Sequence, residues 1–358
     1  MTKMRHRGEE IRCFILENVD KHAFGISKIT ADRFGISRQA VNKHLKRLKD
    51  EGVISENGKT KAKSYKIASS PEWRSPYYQI SPELAEDIIW KNDIQPVLGN
   101  QPDNIRDIWF YGFTEMFNNA IDHSGGQNIL VRISKNAAHT EMLLWDNGVG
   151  IFKKIQASMN LLDERHAILE LAKGKLTTDP QRHTGEGIFF TSRMFDSFDI
   201  LSGGVFFSHE FGKQEDWILE QERDSPGTTI FLKLSNHTPR DSKEVFLEYM
   251  SRDDYGFNKT VVPVKLAQYG NDKLISRSQA KRILARIEVF KVVLLNFESV
   301  PIIGQAFADE IFRVFANQHP EIEITAINAN QEVTEMIVRA KSGGRNPPPE
   351  VATPDKPS

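Results

Sequence analysis

The apolar positions change their period along the chain. Near the start the period is helical: Ile11, Phe14 and Ile15 recur about one turn apart, as the buried stripe of an amphipathic helix does. Ser27 is placed to cap a short second helix over 28–34, which Gly35 would close, because glycine takes the turn after a helix C-terminus at little cost. Ser37 is placed to cap a third helix, Arg38–Asp50, with Val41, Leu45 and Leu48 facing inward at i, i+4 and i+7. Its opposite side displays Arg38, Gln39, Asn42, Lys43 and Lys46. Past Gly52 the pattern becomes that of strands: Val53-Ile54-Ser55, a turn at Asn57-Gly58, and a basic return to Tyr65-Lys66-Ile67. An Asn-Gly pair between two such runs is a strong hairpin signal.

Ser69-Ser70-Pro71 and Pro76 mark a boundary, and residues 71–100 read as a linker with a lead-in helix carrying Leu84, Ile88, Ile89 and Ile94. The next region, 101–240, predicts a strongly apolar helix over 105–122 and strands over 129–134 and 141–146. A polar, loose stretch over 152–184 follows, then a helix over 188–196 and three further strands ending at Leu234. That order suits an α+β sandwich with helices on one side of a mixed sheet. From 255 to 341 strands and helices alternate: strand 260–266, helix 276–288, strand 291–297, helix 303–317, strand 321–327, helix 330–340. The alternation predicts a small α/β domain. The tail over 342–358 holds five prolines and is expected to be disordered. The fold class expected is therefore multidomain α+β.

Charge changes this picture. The net charge of the 358 residues is −1, but residues 1–70 carry 16 Lys and Arg against 8 Asp and Glu. A basic head on an acidic body suits a nucleic-acid contact confined to one end. The three helices and hairpin resemble a winged helix-turn-helix over about residues 4–68, which implies that Arg38, Gln39, Asn42, Lys43 and Lys46 meet duplex DNA, with Lys61 and Lys63 of the hairpin on its phosphates. Single Cys13 excludes an internal disulfide and any zinc site built on cysteine pairs. Apolar runs such as Val292-Val293-Leu294-Leu295 fall far short of the ~20 residues a spanning helix needs. The basic N-terminus is not followed by the apolar segment of a secretory signal. A cytoplasmic protein with no membrane contact is expected.

The chemistry concentrates in four segments. On the apolar helix over 105–122, Glu115, Asn118, Asn119 and Asp122 recur at i, i+3, i+4 and i+7, a costly stripe on a buried helix unless a ligand, metal or partner satisfies it. Asp146-Asn147-Gly148-Val149-Gly150 puts a carboxylate at a strand end before two glycines. Thr184-Gly185-Glu186-Gly187 opens a helix, where backbone N–H groups can hold phosphate. Gly227-Thr228 starts a strand with a hydroxyl.

In this order and spacing the four segments, across residues 80–236, resemble the GHKL superfamily of gyrase-type topoisomerases, heat-shock ATPases, histidine kinases and mismatch-repair ATPases, whose ATP domain is the Bergerat α/β sandwich. The resemblance implies ATP and Mg²⁺ as ligands. It implies that Asn119 holds the metal, Glu115 activates the attacking group, Asp146 accepts from the adenine amino group and Thr228 supports that contact. Gly148 and Gly150 would let the base approach, Gly185 and Gly187 would meet the phosphates, and Asn118 and Asp122 complete the helix's binding face. Phe189 stands where a further glycine is common, which implies a stiffer phosphate loop. Residues 152–184 would form a lid, from which Lys173, Lys175, Arg182 and His183 could reach phosphate.

Glu115 argues against a histidine kinase, which usually carries asparagine there, and no helical pair with a phosphoacceptor histidine precedes the domain. The segment is closer to serine kinases of the anti-sigma type. The third region resembles the STAS-like domains that such kinases phosphorylate, yet Gly304 and Gln305 occupy the positions where a phosphorylated STAS protein has its serine, and Ser299 reads as a turn residue. The expectation is a bacterial regulator in which Mg-ATP, slowly hydrolysed, controls a DNA-binding head, with the STAS-like module for a protein partner; a homodimer is compatible with the resemblance. The alternatives are a serine/threonine kinase acting on a STAS-like partner, and a nucleotide-sensing scaffold without turnover.

Overall fold

A computed structural model of the chain describes residues 3–58, 63–68, 72–177, 184–213, 216–250, 256–268 and 273–343. It divides into two compact units, Met1–Tyr249 and Met250–Ser358. Lys61, Arg182, His183 and most of the expected tail lie outside the described residues.

The first unit opens with helices α1 (Lys3–Asn18), α2 (Ile26–Phe34) and α3 (Arg38–Asp50), then strands β1 (Ile54–Asn57) and β2 (Ser64–Ile67). Ser37 caps α3 as expected, accepting from the Ala40 N–H at 3.2 Å, and Val41, Leu45 and Leu48 are buried. Ser27 does not cap α2: the helix begins one residue before it, behind Gly25, and the Ser27 hydroxyl donates to Asn42 Oδ1 at 3.3 Å. The hairpin pairs Asn57 with Ser64, so Asn57-Gly58 opens a longer connection instead of forming a two-residue turn. One more departure concerns the core of this head, which is completed from outside it by Ala138.

The central sheet has the order β3-β5-β6-β8-β7, with β4 also paired to β5. Its strands are β3 (Glu72–Arg74), β4 (Tyr77–Gln79), β5 (Asn128–Lys135), β6 (His139–Asp146), β7 (Ser197–Glu210) and β8 (Trp217–Ser235). Every pairing is antiparallel, which corrects the expected mixed sheet. The supposed linker supplies β3 and β4 at the sheet edge, then α4 (Glu86–Ile89) and α5 (Gln95–Leu98) joined through a wider turn, Trp90–Ile94. Ile129, Val131, Ile133, Met142, Leu144, Ile200, Leu232 and Leu234 are buried, whereas the alternate positions are more open, as in an antiparallel sheet covered on one face.

Helices α6 (Asp103–His123), α7 (Ile151–Met159), α8 (Glu164–Lys173), α9 (Gly187–Met194) and α10 (Ser242–Tyr249) complete the unit. Trp109, Phe113 and Phe117 of α6 are fully buried, and Gly112 lets α6 pass close to α9, since a Cβ there would lie 2.4 Å from the Phe195 ring. The stretch expected to be loose is thus largely α7 and α8. Ala167, Ile168, Leu169 and Leu171 are buried, and Asp163 caps α8 by accepting from the His166 N–H at 3.0 Å.

The second unit is a three-stranded parallel sheet of order β11-β10-β9, built from β9 (Lys259–Pro263), β10 (Val292–Asn296) and β11 (Glu323–Ile327). Helices α11 (Arg277–Leu284), α12 (Gln305–Asp309), α13 (Ala316–Gln318) and α14 (Gln331–Lys341) follow the expected alternation. Ser276 and Gln279 form a capping box at α11, and Asn330 caps α14 by accepting from the Val333 N–H at 2.9 Å. Ser299 sits in the turn after β10.

Candidate functional site

In the first unit, α6, α7 and α9 enclose a cavity of about 270 Å³ against β6 and β8. Its position follows from the sheet register. Asp146 ends β6 directly opposite Thr228 of β8, so a carboxylate and a hydroxyl meet at one wall. The chain then turns sharply through Asn147-Gly148-Val149-Gly150 into α7. This turn is strapped to the end of α6: the Val149 N–H donates to the Ser124 carbonyl at 2.9 Å, and the Asn147 side chain accepts from the Gln127 N–H at 2.8 Å.

Asp146 is 4% exposed. Its Oδ1 accepts from the Gly148 N–H at 2.8 Å. Burial raises its carboxyl above the usual aspartate range, against the pull of hydrogen bonds from Gly148 and from the Thr228 backbone and hydroxyl. The Thr228 hydroxyl also accepts from the Ile151 N–H at 3.0 Å, tying the start of α7 to the wall.

Across the cavity α6 presents Glu115, Met116, Asn119, Ala120 and His123. Gly187 begins α9 against Glu115, where any Cβ would lie 2.0 Å from Oε2. Glycine here lets Glu115 keep this position against the start of α9, and a larger residue would displace its carboxylate. Gly185 has φ +71 and lies against Leu176, whose N–H donates to the Gly185 carbonyl at 3.1 Å. That bond fixes the segment leaving α8 to the loop entering α9.

Glu115, Asn119, Asp146, Gly185, Gly187 and Thr228 all line this one cavity. Asn118, Asp122, Gly148 and Gly150 are not in its lining. The helical phase explains the first two. The cavity face of α6 runs through 115, 116, 119, 120 and 123, so Asn118 lies to one side and Asp122 is exposed. At Gly148 close packing alone accounts for the glycine, because a Cβ there would meet the Ser124 carbonyl at 2.2 Å. Gly150 is closed in the same way by Ser202, whose Oγ would stand 2.7 Å away.

Of the cations expected on a lid, the two described ones, Lys173 and Lys175, lie elsewhere. Lys173 has 1% of its side chain exposed and donates to Glu170 at 2.7 Å inside α8, and Lys175 does not line the cavity. Phe189 lines the cavity within α9, its ring edge-on to Phe190 and Tyr249. It is a core residue of a helix, not part of a loop. The expectation missed Met116, His123, Lys154 and Leu171. Met116 and His123 sit at i+1 and i+8 from Glu115, a spacing that the apolar Ala120 between them already suggested.

A second feature lies on the head. Arg38, Gln39, Asn42, Lys43 and Lys46 are all exposed on α3, whereas Lys63 of the hairpin pairs with Glu56 at 2.6 Å, and Glu56 also holds Lys49 at 2.9 Å. The head is fixed to the sheet. Cys13 Sγ donates to the His237 carbonyl at 3.0 Å and lies 3.5 Å from Ser235 Oγ; burial pushes its thiol up to about 12. The Ser235 N–H donates to Asp196 at 2.6 Å, and Asp196 holds Arg240 at 3.0 Å. Strand β8 therefore carries Thr228 at the cavity and Ser235 at the foot of the head.

Comparison with known proteins agrees with the two ends of the chain. Residues 30–55 match the family described as winged helix-turn-helix DNA-binding, and residues 279–334 match a STAS-like domain of unknown function (DUF4325). The first match spans the second half of α2, α3 and the start of β1; the second runs from α11 into α14. No curated protein matches the chain. Among the described residues no helix is long and apolar enough to cross a membrane.

Proposed function

We propose that the chain is a nucleotide-controlled DNA-binding regulator whose cavity holds Mg-ATP in the manner of the GHKL superfamily. The observation that carries this reading is the convergence of Glu115, Asn119, Asp146, Gly185, Gly187 and Thr228, from four separate segments, on one cavity. The donor set fits the ligand. Asp146 is a buried acceptor beside a hydroxyl, suited to an exocyclic amino group, and the start of α9 offers backbone N–H groups to phosphate. Asn119 gives a hard amide oxygen, which suits a magnesium ion that keeps waters and phosphate oxygens as its other ligands. Among the described residues no group of three or more His, Cys, Asp or Glu could bind a metal alone, so the ion would arrive with the nucleotide.

Within that reading Glu115 is the general base for a slow hydrolysis, placed one helical turn before Asn119. The exposed face of α3 reads base edges in the major groove. The STAS-like module is a docking surface for a protein partner, because Gly304 and Gln305 begin α12 where an acceptor serine would be needed. Calorimetric titration of the full chain with Mg-ATP tests the binding. Asn119→Ala should weaken binding in magnesium, and Asp146→Asn should reduce the preference for ATP over GTP. Equal affinities in wild type and both variants would remove the basis of the proposal.

A further inference from the structure

One charged group in the cavity has no place in the reading above. Lys154, on α7, is the one lysine or arginine among the described residues that line the cavity. Its ammonium donates to the His123 carbonyl at 2.6 Å, in the last turn of α6. Among the described residues it makes no ion pair, whereas its neighbour Lys153 is tied to Asp224 at 2.8 Å on the surface. Two adjacent lysines thus have separate fates, one spent on a surface carboxylate and one turned to the cavity with a single backbone carbonyl as partner.

The charge balance of the cavity gives that position a meaning. Its lining carries the carboxyl groups of Glu115 and Asp146, and a polyphosphate brought beside them is repelled unless positive charge accompanies it. Magnesium offsets only part of the charge of a triphosphate. Lysine is a compact charge on a flexible four-carbon stem, so its head can leave one acceptor for a better one nearby. We infer that Lys154 is a binding residue for the phosphate chain of a nucleoside di- or triphosphate, held on the C-terminal turn of α6 until that chain enters. This rests on the nucleotide reading of the cavity.

A lysine on the last carbonyls of a helix also supports the helix by itself. The two roles have different signatures, which full-chain protein can separate. Wild type, Lys154→Ala and Lys154→Arg are titrated calorimetrically with adenosine, Mg-ADP and Mg-ATP, below the unfolding temperature of each variant. If Lys154 meets phosphate, Lys154→Ala loses roughly tenfold or more in affinity for ADP and ATP, the scale of a lost hydrogen bond to a charged group. Adenosine affinity should stay unchanged, and arginine should restore most of the loss. A parallel fall for adenosine and ATP would reduce Lys154 to a helix support, and an unchanged ATP affinity in the alanine variant would overturn the inference. Wild type that binds none of the three would instead refute the nucleotide reading, and the inference with it.

Discussion

Helices α3 and α6 both carry a row of polar side chains on an amphipathic frame, but the rows work under opposite conditions. On α3 the polar residues Arg38, Gln39, Asn42, Lys43 and Lys46 stand in water, above a core of Val41, Leu45 and Leu48. They cost the fold little and, apart from the hydrogen bond Asn42 accepts from Ser27, face solvent. On α6, Glu115 and Asn119 are half-buried at a cavity wall between the fully buried rings of Phe113 and Phe117 and the start of α9. Packing on both sides restricts where they can point, the condition under which polar groups contribute most to chemistry. In the proposed function the solvated row serves recognition and the packed row serves a reaction. Changes to each helix should differ accordingly.

The largest effect is expected at Glu115. Removing a general base costs ~10²–10⁴ in rate, so Glu115→Ala should bind Mg-ATP and almost cease to turn it over. Turnover equal to wild type in a phosphate-release assay would make Glu115 a packing residue. Next comes the underside of α3, where Leu45 is 1% exposed. Leu45→Ala should lower stability by about 2–5 kcal/mol, the usual cost of emptying a core leucine site, measured by urea unfolding. A change much smaller than this would show that the head repacks.

The exposed side of α3 should behave otherwise. Asn42→Ala should leave stability nearly unchanged and reduce the preference for one DNA site over another by about 1–3 kcal/mol, the discrimination carried by one good base contact. Lys43→Ala should weaken binding alike on all sequences and flatten the dependence of log affinity on log salt by ~0.9, the effect of one lost phosphate contact. Reversal of these two results in fluorescence-anisotropy titrations would exchange the roles of the residues. These titrations need the full chain. Ala138 belongs to the core of the head and His237 accepts from Cys13, so a fragment ending near residue 70 would lack part of its own support.

The smallest effect concerns pH. Burial raises the Asp146 carboxyl in the folded chain, so the folded state takes up this proton before the unfolded state does. As pH rises through the folded value, stability from this group is lost; as pH falls through it, stability is gained. Asp146→Asn has no such proton. The stability of wild type relative to Asp146→Asn should therefore rise as pH falls through the range just above ordinary aspartate titration. A difference that stays flat, or moves the other way, would mean that the carboxyl is solvated.

Much of this contrast was legible in the sequence. Ser37, the 41/45/48 spacing and Gly35 define α3 and the end of α2 because each acts locally. In the second unit the alternation of strands and helices was legible, because each strand is short and Ser276, Gly304 and Asn330 stand just before α11, α12 and α14. The segment after Gly150 was not legible. Glu170 and Lys173 look like surface charges, yet they pair with each other inside α8, and that pairing hides an almost wholly buried helix. Strand β7 was also obscured, since register shifts at Ser202, Gly203 and Val205 interrupt its alternation. At the site, the polar stripe of α6 was assigned to 115, 118, 119 and 122, while the cavity lies on the side of Met116 and Ala120. Polarity marked a helix that lines the cavity but not the angle at which its neighbours close over it.

Cavity and head both touch strand β8, through Thr228 and Ser235, within one compact unit, and in the proposed function the occupant of the first governs the second. Titration of the full chain with duplex DNA, with and without saturating Mg-ATP, together with the converse titration of ATP with and without DNA, tests it most directly. Coupling between two sites must be reciprocal, so each ligand should change the affinity of the other by the same factor, typically about 5–150-fold. DNA affinity that is unchanged by saturating ATP, in protein shown to bind both, would mean that cavity and head act independently.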